Sequence, residues 1–168
     1  VKSVNGPEKT EVVGTYGPYL QMRCAYVGNG AQLSGFTLRD GQVAPVGSHW
    51  GYESGGGAWC EPDGLLSNCV VRGNMAPWYG GGVFGGVIVD SVISNNVGVS
   101  YGGGAVQSVL RNCMIAYNQT YGYGSGTFSC SLRNCVLDKN GDFGSSAAVL
   151  DSDAENCTIV GNSSGSFN

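Results

Sequence analysis

Apolar residues recur along this chain every 22 positions, not at the 3.6-residue interval of a helix. Leu66, Ile88, Leu110, Leu132 and Ala154 fill one row; Val71, Ile93, Ile115, Leu137 and Ile159 fill a second; Phe84, Val106, Phe128 and Leu150 fill a third. Cys69, Ser91, Cys113, Cys135 and Cys157 keep the same beat. Cys69 and Val71 are two apart, which is the alternation of a strand. Leu66 is three before Cys69, so the chain must bend between them. A fixed period with like residues in like slots is the mark of stacked coils, each burying its apolar face on the next. The pattern predicts an all-β parallel β-helix (β-solenoid) with about 22 residues and three short strands per coil, six to seven coils in all, and every apolar row facing one interior.

Two polar rows share the period. Asn74, Asn96, Asn118, Asn140 and Asn162 form one; Asn68, Asp90, Asn112, Asn134 and Asn156 form the other. A bend between strands needs a residue that tolerates left-handed backbone, and asparagine does so better than any residue except glycine. Its amide both donates and accepts, so stacked copies can bond along the column. Both rows read as structural ladders. The sequons at Asn118, Asn156 and Asn162 are therefore expected to be inaccessible.

The register continues towards the start of the chain. Leu33 to Gly41 matches Leu66 to Asn74 at a distance of 33, one coil plus extra residues. The excess is assigned to an inserted loop over 42–57, which carries His49, Trp50 and Tyr52, with a shorter insertion at Glu61-Pro62-Asp63. Insertions in a solenoid project from one face, often the binding face. The whole of 1–168 reads as one β-helix domain, expected to be a segment of a longer chain. Tyr79, Tyr101 and Tyr123 open successive coils, and Trp50, Trp59 and Trp78 fall near them. These six are the candidate ligand-binding residues, as a stacking platform for sugar rings. The plainer alternative is an aromatic ladder between coils.

Composition narrows the function classes. The chain has a net charge of −4 and no basic run, so nucleic acid is not an expected partner. No apolar stretch is long enough to span a membrane as a helix. Charged residues make up only 12%, and the 30 glycines read as turn punctuation, because 42% of the chain is hydrophobic and in register. The seven cysteines divide by spacing. Those in the 22-residue row point the same way from parallel strands, where a bridge would be strained, and are expected to be free thiols. Cys24 and Cys60 stand outside the row and are the expected disulfide. No metal site is expected, since no Cys-x-x-Cys occurs and His49 is the only histidine.

The run Gly-Gly-Gly-Ala/Val followed by Leu-x-Asn-Cys-x-Ile-x-x-Asn resembles the right-handed parallel β-helix repeats of large bacterial surface and secreted proteins. In style it is similar to the repeats of the polymorphic outer-membrane proteins. That fold also carries adhesins, pectate-lyase-like enzymes, phage spikes and stalks. The resemblance implies a right-handed solenoid at an extracellular or bacterial cell-surface location. It leaves three functions open: a non-catalytic adhesin-like or stalk scaffold, a protein that binds glycans or cleaves polysaccharides, or a fibre subunit partnered end to end with copies of itself. No cofactor is expected for a scaffold, whereas a lyase-like site would take Ca²⁺ on converging carboxylates and need a base beside them. The catalytic candidates are Asp151, Asp153 and Glu155, expected on one strand and one face, with Arg111 and Arg133 in the slot of Glu155. The alternative is a surface row in which Glu155 relieves the like charge of the arginines.

Overall fold

The computed structural model of the chain describes residues 1–15, 22–45, 53–142 and 147–163. It is a parallel β-solenoid of about six turns. A middle coil runs through Val83–Phe84, Val87–Val89, Val92–Ser94 and Val97–Gly98 before Ala105–Val106 begins the next. Each strand pairs in parallel with its equivalent one coil away, as in Ile88 beside Leu110 and Ile93 beside Ile115. Four parallel sheets result. Sheet I contains Val87–Val89 and has six strands, sheet II contains Val92–Ser94 and has seven, sheet III contains Val97–Gly98 and has four, and sheet IV contains Val83–Phe84 and has six. The expectation of three strands per coil thus gains a fourth, the two-residue strand of sheet III. Nothing in the apolar pattern marks it, because it holds Met75–Ala76, Val97–Gly98 and Gln119–Thr120. Among the described residues, no helix is long and apolar enough to cross a membrane.

The core is built from columns. Leu66, Ile88 and Leu110 of sheet I and Val71, Ile93, Ile115 and Leu137 of sheet II are fully buried. The expected third apolar row lies outside this core cluster, although Val106 within it is fully buried. In the short strands of sheet IV, neighbouring side chains point to opposite sides; the inward ones include Ala58 of the three-residue strand Ala58–Cys60 and Val83, Ala105 and Val149 of the two-residue strands, all within the core cluster. Phe84 and Phe128 point outward, against Tyr79 and Tyr101. Small inward residues are required here because the coil passes close to its neighbour: a Cβ on Gly104 would lie 2.5 Å from the Gly126 carbonyl oxygen and 3.0 Å from Asn118 Nδ2.

The coils turn at left-handed residues, and at three corner columns the next residue has a side chain that bonds back to a backbone carbonyl. One corner carries Asn68, Asp90, Asn112, Asn134 and Asn156 at φ 48 to 54°. A second carries Gln107, Ser129 and Asp151, and a third carries Asn95, Tyr117, Lys139 and Gly161. The 33-residue spacing is realised as pairing of Leu33 with Leu66 and Leu38 with Val71. Between those strands, 46–52 lie outside the described residues, and with them His49, Trp50 and Tyr52.

Candidate functional site

The two asparagine rows have different roles. Asn74, Asn96, Asn118 and Asn140 are buried at 0–1% exposure. The Oδ1 of Asn96, of Asn118 and of Asn140 each accepts from the backbone N–H and the Nδ2 of the previous asparagine at 3.0 Å, while that of Asn74, at the head of the column, accepts from the Gly41 N–H at 2.8 Å. Each Nδ2 also donates to a carbonyl of the preceding coil, Asn118 to Ile93 at 2.9 Å. The column continues to half-buried Asn162. Asn68, Asp90, Asn112, Asn134 and Asn156 are exposed corners instead. Their side chains bond along the row only in part, from Asn112 Nδ2 to Asp90 Oδ1 at 3.0 Å and from Asn134 Nδ2 to Asn112 Oδ1 at 3.3 Å. The sequon asparagines accordingly differ: Asn118 is enclosed, Asn162 is half-buried and Asn156 is open to solvent.

All seven thiols are free. The expected Cys24–Cys60 disulfide is not formed, for a register reason. Cys60 lies beside Val27, and Ala25 lies beside Ala58, so Cys24 faces Gly57, three positions along the strand from Cys60. At about 3.3 Å per residue that offset is too long for a disulfide. Cys24 Sγ instead donates to the Arg39 carbonyl at 3.2 Å. The row of Cys69, Cys113 and Cys135 is buried, and each Sγ turns back to the carbonyl two residues before it. Ser91 makes the same bond to Val89 at 2.7 Å. Burial pushes the Cys24 thiol up to about 11 and those of Cys60 and Cys130 up to about 12. Cys113 is also held up, by its hydrogen bond to Cys135 and by burial.

The aromatic candidates form two ladders on one outer face. Tyr79, Tyr101 and Tyr123 stack at ring-centroid distances of 5.3 and 5.7 Å. Tyr26, Trp59 and Phe84 stack at 5.1 and 6.2 Å, and Arg23 lies over Trp59. Each inner ring turns its faces to its neighbours, so what it presents to solvent is an edge. Open faces remain at the ends, on Tyr26 and Tyr123, at 60% and 55% exposure. Trp78 is partly exposed, with its backbone N–H on the Glu53 carbonyl. Trp50 lies outside the described residues.

The acidic candidates separate. Asp151 is not on the strand but at a left-handed corner, φ 49°, where its Oδ2 accepts from Ser129 Oγ at 2.8 Å. Asp153 and Glu155 are on the strand Asp153–Glu155 at the edge of sheet I, both exposed. The same sheet face brings Arg111 beside Arg133 and Arg133 beside Glu155. Glu155 Oε1 is 3.3 Å from Arg133 Nη2. With Val109 and Ser131 these side chains line an open groove of about 370 Å³. Among the described residues, no three His, Cys, Asp or Glu side chains come together as a metal centre would require.

Residues 28–168 match the family model described as the right handed beta helix region. The chain belongs to the right-handed β-helix family. The hand of the solenoid follows from that membership, and the parallel register of the four sheets is what the family requires. Comparison with curated proteins and with solved structures gave no match.

Proposed function

We propose that this right-handed β-helix is a non-catalytic scaffold segment of an extracellular or bacterial cell-surface protein, of the adhesin or stalk kind. One observation carries the reading: most of the repeated polar side chains are already bonded within the protein itself. The buried asparagines bond to each other, the Ser and Cys side chains bond back to carbonyls, Asp151 bonds to Ser129, and Glu155 pairs with Arg133. Little is left to hold a substrate at a desolvated acid and base. The buried thiols of Cys60 and Cys130, pushed up by burial, carry little thiolate, the reactive form.

A polysaccharide-binding or polysaccharide-cleaving protein is the second reading, favoured by the groove over sheet I. Incubation with pectin or alginate and Ca²⁺ separates the two. The scaffold reading expects no release of unsaturated sugars. Release that Asp153→Ala abolishes would replace it with the enzyme.

A further inference from the structure

We propose that Arg111 and Arg133 form a binding site for a tetrahedral oxyanion, sulfate or phosphate, in the groove on the outer face of sheet I. The site rests on groove geometry and does not depend on the scaffold reading.

Arg111 and Arg133 are direct partners in adjacent parallel strands, Val109–Arg111 and Ser131–Arg133. Their side chains therefore leave the same face about 4.8 Å apart at the backbone. Like charges placed directly opposite destabilise a sheet unless something lies between them. Arg133 has Glu155 on its far side at 3.3 Å. Arg111 has Val89 on its far side, which offers no charge. Among the described residues Arg111 has no ion pair, so one positive charge of the column is uncompensated.

The surroundings add a third donor. Ser131 is two before Arg133 on the same strand, so its hydroxyl shares that face, and it is exposed. Val109 stands beside Ser131 in the next strand and lines the groove from its apolar side. A carboxylate presents its two oxygens in one plane, an edge that a single guanidinium fork matches. A tetrahedral oxyanion has enough acceptors to bridge two forks and a hydroxyl, and guanidinium is the side chain best matched to it. Two carboxylates line the same groove: Glu155 draws Arg133 away from the shared position, and Asp153, beside Ser131, repels an anion there, so both act as competitors.

The test is thermal melting of the full 168-residue chain in sodium sulfate or sodium phosphate against sodium chloride at matched ionic strength. The melting temperature is expected to rise saturably with sulfate or phosphate and not with chloride. Arg111→Gln and Arg133→Gln should each weaken the response roughly tenfold, the loss of one charge-assisted contact. Glu155→Gln should strengthen it by freeing Arg133. Circular dichroism of each variant confirms the fold. A second arm measures binding of dextran sulfate. If the polymer binds and loses binding in both arginine variants while the free ions have no effect, the oxyanion is one carried as an ester, and the site stands. A response in Arg111→Gln equal to that of the parent overturns the proposal. So does a rise in sodium acetate as large as in sulfate, or no response to any of these anions.

Discussion

At a corner of the solenoid, one residue adopts left-handed backbone and the next bonds backward. Asn112 and Cys113 do this at one corner, Ser129 and Cys130 at another, Lys139 and Asn140 at a third. The first of each pair is strained if it carries a Cβ and neither asparagine nor glycine, so Gln107, Tyr117 and Lys139 hold that conformation because the coils on either side determine it. Cysteine and serine alternate freely in the second position because both are small and both can cap a carbonyl. That equivalence separates these thiols from disulfide chemistry and gives them a pH signature. Burial raises Cys130 to about 12, whereas an unfolded thiol ionises near about 8.5. The folded form holds the proton more tightly, so the thiol's contribution to stability is complete below the unfolded value and falls as pH rises from there towards the folded one. Cys130→Ser, which copies Ser108 and Ser152 of the same column, should therefore lose less stability than the parent between about pH 7.5 and about pH 10. Urea midpoints at the two pH values measure it, and an equal loss in both proteins would contradict the argument.

At the level of strands and ladders, much was legible because the period forces like residues into contact. The inward columns of sheets I and II and the buried asparagine ladder follow from spacing alone. Three features did not. The strand of sheet III carries no constant side chain that could mark it. Phe84 and Phe128 look like core by hydropathy, yet a two-residue strand sends only one of its pair inward, here Val83 and Thr127; Val106 of the same row is fully buried but lies outside the core cluster. The Cys24–Cys60 pairing failed because sequence distance across an insertion does not fix register to within three residues. The signal for Asp151 was present, however: it lies 22 after Ser129, in a corner slot rather than in the strand slot of Asp153. The ladder itself makes a sharp prediction. Replacing Asn118 with alanine removes the acceptor for both the N–H and the Nδ2 of buried Asn96. It also removes the donor to Ile93. Two orphaned donors in a dry interior predict a loss on the order of 2–4 kcal/mol. The same change at exposed Asn134, whose Nδ2 donates to Asn112 Oδ1 at 3.3 Å, should cost well under half as much. Denaturant titration of the two variants compares them, and equal losses would count against the ladder.

Across the whole molecule, each coil touches only its neighbours, so stability is close to a sum of coil terms and junction terms. Such a core has no centre in the globular sense. What varies along it is the number of neighbouring coils a side chain has. Ile115 sits between Ile93 and Leu137 and is fully buried. Ile159 occupies the same column but has only Leu137 as a strand partner among the described residues, and it is half-buried. Truncation to alanine removes the same atoms at both places. In the middle it leaves a cavity closed above and below, for a loss on the order of 3–4 kcal/mol. At the edge solvent or a shift of the coil fills the space, and a loss of about 1–2 kcal/mol is expected. Because the terms are nearest-neighbour, the effect should also be local: hydrogen exchange in Ile115→Ala should accelerate most in the coils of Ile93 and Leu137, and least in that of Leu38. Equal losses for the two variants, or uniform acceleration along the chain, would mean that the solenoid unfolds as one indivisible unit and that the columns do not set its stability coil by coil.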